Sequence, residues 1–181
     1  MSGTAPGGKG PSGSRSGVER RPATQAEARA LSHPVRLRVL RLCLDTALSN
    51  RELAERLGQD PATVLHHVRT LVRTGFLSAT EERTGRRGSH ERPYRATGKS
   101  WTLDIGSEAS IVASVDAFRQ ELLAAGSDAV LNSTRLGVRL SPERLDEFLG
   151  RFNGLVHELA GADEEDGEPI SIFVGIHRQP R

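Results

Sequence analysis

Two capped segments joined by a very short connection set the tightest limit on what this chain can fold into. The stretch SNRELAERLG (49–58) opens on Ser49 and carries Glu52 three positions later, a reciprocal pair that closes a helix start. Leu53, Ala54 and Leu57 follow at helical spacing, and Gly58 ends the pattern. The stretch DPATVLHHVRTLVRTG (60–75) opens on Asp60 as cap with Pro61 in the first turn. Its apolar seam is Val64, Val68, Leu71 and Val72, and Gly75 stops it. Two helices joined by a turn of about three residues around Gly58 predict a helix-turn-helix.

The flanking sequence extends this unit on both sides. Ala26, Ala30 and Leu31 suggest a short helix, broken at His33-Pro34 because the residue before proline avoids the helical region. Pro34 then starts a helix in which Val35, Val39, Leu42 and Cys43 line one stripe, with Leu40 and Leu44 beside it. Cys43 belongs to that stripe and reads as a small core residue. After Gly75 the period shortens: Phe76–Thr80 predicts a strand, Thr84–Ser89 a turn, and Arg92–Thr97 a returning strand. Pro93 argues for an edge position. A hairpin directly after a helix-turn-helix is a wing.

Beyond residue 100 the pattern alternates between helix and strand. Residues 107–125 predict an amphipathic helix with Ile111, Val112, Val115, Phe118 and Leu122 on one side, an apolar stripe that predicts dimerisation. Residues 134–140 alternate strictly, as a half-buried strand does. Ser141-Pro142 opens a helix with Leu145, Phe148, Leu149, Phe152, Leu155, Val156 and Leu159 on one stripe. Residues 163–168 read as an acidic loop and Ile170–His177 as a last strand. Two strands do not make a stable sheet, so helix packing or strands from a second subunit must complete this part. The expected fold class is therefore α+β: an N-terminal winged helix-turn-helix (23–100), then a smaller C-terminal helix-strand-helix-strand region (101–181). Residues 1–22, rich in Gly, Ser and Pro, are expected to form a disordered basic tail.

Charge separates the same parts. Residues 1–22 carry four basic groups and one acidic group, residues 23–100 fourteen and eight, and residues 101–181 seven and fourteen. A basic first half joined to an acidic second half suggests a polyanion partner for the first half. No apolar run approaches the ~18 residues of a membrane helix, and the N-terminus has no apolar signal core. The expectation is a cytoplasmic protein with no membrane partner. Only Lys9 and Lys99 are lysines among 25 basic residues, a bias of GC-rich bacterial genomes.

A recognition helix must present short side chains that fit a major groove and bond base edges. With the seam facing in, Ala62, Thr63, His66, Arg69, Thr70 and Arg73 face out. Ala62, Thr63 and His66 lie in the first two turns, where base contact is easiest, and Arg69 can reach a base or a phosphate. Gln59 in the turn faces the same way. Ser49, Asn50 and Arg51 open a helix whose N–H groups favour phosphate. The hairpin adds Arg83, Arg86, Arg87, Arg92 and Arg95, with His90 among them and Glu91 opposed to them. Arg86 and Arg87 at a glycine-flanked tip suit a minor groove. His66 and His67 do not form a metal pair, because helical neighbours point about 100° apart. His66 is a DNA candidate, His67 leans toward the seam, and His33 is a capping or packing group.

The order and spacing of LSHPVRLRVLRL (31–42), SNRELAERLG (49–58), DPATVLHHVRTLVRTGFL (60–77) and RPYRAT (92–97) resemble the winged helix-turn-helix of ArsR-like bacterial transcriptional regulators. The resemblance covers about residues 24–100. It implies a homodimer that binds double-stranded operator DNA and usually represses transcription. Metal-sensing members carry paired cysteines near the capped helix, or Asp/His pairs on a C-terminal helix. Residues 47–57 contain no cysteine and the C-terminal helices offer only His157. Metal sensing is therefore not carried over, no cofactor is expected, and the resemblance assigns no small-molecule effector, though the C-terminal half leaves room for one.

No phosphate-binding glycine motif, nucleophile elbow or helical metal motif is present, so no enzyme is expected. The acidic run at 163–168 lacks the spacing of a calcium loop. The alternative to DNA binding is a winged helix used as a protein-interaction module, its basic wing meeting an acidic partner.

Overall fold

Each capping residue read from the sequence opens a helix in the computed structural model, which describes residues 21–84, 90–104, 106–162 and 167–179. Strand β1 (Arg21–Pro22) leads into helix α1 (Gln25–Leu31), and His33 caps helix α2 (Pro34–Asp45) by accepting the Val35 N–H on Nδ1 at 3.3 Å. At helix α3 (Asn50–Leu57) the Ser49 hydroxyl accepts the Glu52 N–H at 3.4 Å, and the Glu52 carboxylate accepts the Ser49 N–H at 2.7 Å. Asp60 accepts the Ala62 and Thr63 N–H groups at 2.8 and 3.2 Å to open helix α4 (Pro61–Arg73). Gly58 has φ 63° and Gly75 φ 75°. This left-handed turn lets Gln59 N–H reach the Ala54 carbonyl at 3.0 Å, and Phe76 N–H the Leu71 carbonyl at 2.9 Å. A side chain at either glycine would strain the chain reversal.

The wing follows. Strand β2 (Leu77–Ala79) pairs antiparallel with β5 (Tyr94–Ala96), and the shorter β3 (Arg83–Thr84) with β4 (His90–Glu91) further out. Leu48 bridges the other side of β5, exchanging hydrogen bonds of 3.0 and 2.8 Å with Tyr94. β5 is therefore flanked on both sides and is not the edge that Pro93 suggested. Pro93 lies just before it, buried, at the break between β4 and β5, where its carbonyl accepts the Thr80 N–H at 2.9 Å. Strand β6 (Leu103–Asp104) pairs in parallel with β1, which brings Arg21 and Pro22 out of the expected tail into the fold.

One core holds these elements. Val39, Cys43, Leu53, Val64, Val68 and Leu71 are fully buried, joined by Leu31, Leu48, Phe76 and, past residue 100, Leu103. Burying each such side chain contributes about 1.5–3 kcal/mol. Burial pushes the Cys43 thiol up to about 12, so it packs as an apolar group. Val72 departs from the expected seam: it is 38% exposed, because the helix turns it beyond the Leu71 side of the contact.

A buried charge ties the ends of this domain together. Thr24 and Glu27 form a second capping box, and Glu27 also accepts bonds from Arg21 at 2.6 and 2.9 Å and from Lys99 at 2.8 Å. These donors, Arg21 first, hold the Glu27 carboxyl far below its usual range. The Lys99 ammonium donates further to the Thr74 carbonyl at 2.6 Å, capping the end of α4.

His67 is buried on α4 with its ring 4.5 Å from that of His33, while His66 faces solvent. Burial first, then His33, Arg36 and His66, pushes the His67 imidazole down to about 4. Burial, Arg36 and His66 lower His33 as well. Both rings are neutral near pH 7, and no three His, Cys, Asp or Glu side chains converge as a metal site among the described residues.

The rest of the chain departs most from expectation. Helix α5 (Glu108–Ala125) packs on α1 and α2 through Ser110, Ala113 and Ala117. Ile111, Val112, Val115 and Leu122, four of the expected apolar stripe, are 58, 54, 45 and 40% exposed, so the stripe is not the face that packs on α1 and α2. The small side chains allow the closer helix approach, and the Ser32–Ser110 hydroxyl contact at 3.0 Å and the Arg38–Gln120 bond at 3.1 Å hold it. Residues 134–140 and 170–177 form no strand, because among the described residues neither finds a ladder partner. Their alternation is real, but a strand exists only by pairing. The described chain divides into a larger unit (21–135 and 170–179) and a smaller one (136–162 and 167–169). Within the larger, Phe173 stacks on Phe118 at 5.4 Å. The smaller holds helix α6 (Pro142–Gly161), whose apolar stripe is at most half-buried.

Two predictions test this packing. Leu71→Ala should cost about 3 kcal/mol in urea unfolding and Val72→Ala less than about 1 kcal/mol; equal losses would contradict the placement of the seam. Between about pH 6.5 and 4 the unfolded chain binds a proton on residue 67 that the folded chain does not. Stability is therefore full above pH 6.5 and falls as the pH drops through this window, while the Glu27 contribution drains only below about pH 4.5. His67→Leu should flatten the fall in Tm between pH 6.5 and 5, and an unchanged fall would assign it elsewhere.

Candidate nucleic-acid interface

The buried seam of α4 fixes which side chains remain outside. Ala62, Thr63, His66, Arg69 and Arg73 are exposed along one face, and Thr70 is half-buried, its hydroxyl donating to the His66 carbonyl at 3.1 Å. The first turn of that face is anchored from α3: the Asn50 amide donates to the Pro61 carbonyl at 2.9 Å. Asn50 Oδ1 and Gln59 Oε1 lie beside this anchor with no hydrogen-bond partner among the described residues. A small residue, a hydroxyl, an imidazole and a guanidinium thus project from the N-terminal half of α4. That is the set of groups that can bond base edges and fit against a thymine methyl.

The other expected contacts fall into two groups. Ser49 is 3% exposed, and its hydroxyl is spent capping α3, so it is a structural cap and not a surface group. Arg51 is held by Glu91 at 2.7 Å and lies 3.9 Å from Glu55. Arg83 is held by Glu52 at 2.5 Å. Burial raises the Glu52 carboxyl, but the Ser49 N–H and hydroxyl and the Arg83 guanidinium outweigh it and keep the group below its usual range. By contrast, no carboxylate pairs with Arg69, Arg73, Arg92 or Arg95 among the described residues, and His90 and Arg92 are exposed on the wing. Arg86 and Arg87 lie outside the described residues. Unpaired arginines beside an exposed helix face leave a positive surface suited to phosphates.

Sequence reasoning missed three positions that shape this surface. Glu91 was read only as an opposing charge, although it binds Arg51. Glu27 and Lys99 were not singled out, although Thr24-x-x-Glu27 has the same capping spacing as Ser49-x-x-Glu52. Lys99 carries no comparable sequence signal, because its partners are 25 and 72 residues away.

Residues 31–78 match the family model of a helix-turn-helix domain. Among solved structures the chain is similar to reduced HlyU from Vibrio cholerae, with 21% identity over 50% of this chain and 80% of that one, at a TM-score of 0.35. It is also similar to the transcriptional repressor BigR from Xylella fastidiosa (23% identity, 48% and 72% covered, TM-score 0.31). A third is the PcaV transcriptional regulator from Streptomyces coelicolor (16%, 73% and 79%, TM-score 0.31). No curated protein matches the chain. No helix among the described residues is long and apolar enough to cross a membrane. The matched residues run from the end of α1 to β2, and they hold the helix-turn-helix that opens this α+β, winged fold.

Proposed function

We propose that this chain is a homodimeric, sequence-specific transcriptional regulator of the ArsR-like, non-metal-sensing type, acting as a repressor on double-stranded DNA in the bacterial cytoplasm. One observation carries the reading. The outward face of α4 presents Ala62, Thr63, His66 and Arg69, while its opposite face is fully buried at Val64, Val68 and Leu71. In this reading α4 enters the major groove, Gln59 and Asn50 approach from the turn, and Arg92, His90 and the wing-tip arginines hold phosphate. The exposed stripe Ile111, Val115 and Leu122 on α5 supports dimerisation, since two copies would cover each other's apolar face. Two-fold symmetry then calls for a pseudo-palindromic operator with half-sites one or more helical turns, ~34 Å, apart.

Selection from a pool of random duplexes should enrich a two-fold symmetric motif. Weak binding with no motif would sink the reading and favour a protein-interaction module. Ile111→Glu with Val115→Glu should convert a dimer to a monomer by light scattering at micromolar concentration, with the helical circular dichroism retained because both sites are exposed in the single chain. A monomeric wild-type protein, or a variant that stays dimeric, would remove the α5 interface.

A further inference from the structure

The outer wing is too small to hold itself in place. β3 and β4 have two residues each, and none of the four is buried. A pair of two-residue strands has no independent stability. What meets it from outside is charge. Arg51 and Glu52 are neighbours in the first turn of α3, and Arg83 and Glu91 are direct cross-strand partners in the β3–β4 ladder. Arg51 reaches Glu91 at 2.7 Å and Arg83 reaches Glu52 at 2.5 Å. Two ion pairs of opposite polarity therefore join the first turn of α3 to the two outer strands. The Glu91 side chain is only 11% exposed, so its pair is poorly screened. Glu52 is fixed independently by its bond from the Ser49 N–H.

We propose that Glu91 and Glu52 are positioning residues of the DNA interface, holding the wing against the first turn of α3 through Arg51 and Arg83. This rests on the DNA-binding reading for its function but not for its geometry. It reverses the roles the sequence suggested, since Arg51 and Arg83 serve as ties, and Glu91, which looked like an obstacle to phosphate, sets the wing's angle. The sign of one substitution separates the two roles. If Glu91 only repels DNA, Glu91→Gln removes a negative charge and tightens binding. If Glu91 positions the wing, the same change weakens binding despite the gain in net positive charge.

The test uses the full chain and a duplex enriched from a random pool. Glu91→Gln should weaken binding about three- to tenfold, the scale of a partly buried ion pair. It should also speed amide hydrogen exchange in a peptide spanning residues 83–92. Arg51→Gln, which removes the same pair from its other side, should speed exchange similarly, and Arg51→Gln with Glu91→Gln should add little further, which a general loss of folding would not allow. Binding as tight as wild type or tighter, unchanged exchange in Glu91→Gln, or fully additive losses in the double variant would each overturn the proposal. If no duplex is enriched, the DNA-binding reading fails, and exchange alone then decides whether the tie exists.

Discussion

Helix α4 can offer one face to a partner because the other is locked. Val64, Val68 and Leu71 have no exposed surface, and they meet α2, α3 and the start of the wing in a single core. Both ends of the helix are fastened as well: Asp60 and Asn50 hold its first turn, and Lys99 and the Gly75 turn hold its last. A helix fixed at its seam and at both ends loses little further freedom on binding, which is the usual condition for reading base edges with a few side chains. His67 is part of that lock, since its neutral ring packs on the cap of α2 next to the exposed His66.

The basic side chains of the domain divide by partner. Arg21 and Lys99 converge on the buried Glu27 and close the domain at its two ends, through the β1–β6 pair and the end of α4. Arg51 and Arg83 are held by carboxylates on the adjoining element. Arg69 and Arg73 on α4 and Arg92 and Arg95 on the wing are exposed and have no such partner among the described residues. Counting arginines in the sequence treats these groups alike. The third group can meet a polyanion without first breaking an internal pair.

What could be read from the sequence follows from how local each interaction is. The caps at Ser49 and Asp60, the glycine stops and the opposite facing of His66 and His67 depend on residues within one or two turns, and all appear in the structure. Val72 was misplaced because helical spacing gives a stripe about 100° wide but not where the neighbouring helices end. On α5 helical spacing marks an apolar stripe but does not say which face meets α1 and α2. Packing selected Ser110, Ala113 and Ala117, which admit α1 and α2 more closely. The alternating segments at 134–140 and 170–177 carry a strand's pattern without a described partner, and pairing is a non-local property that alternation cannot supply. The ties from α3 to the wing span more than thirty residues and were illegible for the same reason. At the candidate site, the exposure of Ala62, Thr63, His66, Arg69 and Arg73 was legible, Thr70 is half-buried, Ser49 is a buried cap, and the ties of Arg51 and Arg83 emerged only with Glu91 and Glu52 in place.

The claim at the centre of this account is that the outward face of α4 lies in the major groove. Dimethyl sulfate reports this directly, because it methylates guanine N7 in the major groove and adenine N3 in the minor groove. On a duplex that the protein binds, guanine N7 should be protected in each half-site, and His66→Ala should remove that protection locally while leaving the rest of the footprint. Protection confined to adenine N3, or guanine N7 fully reactive throughout the bound site, would contradict it.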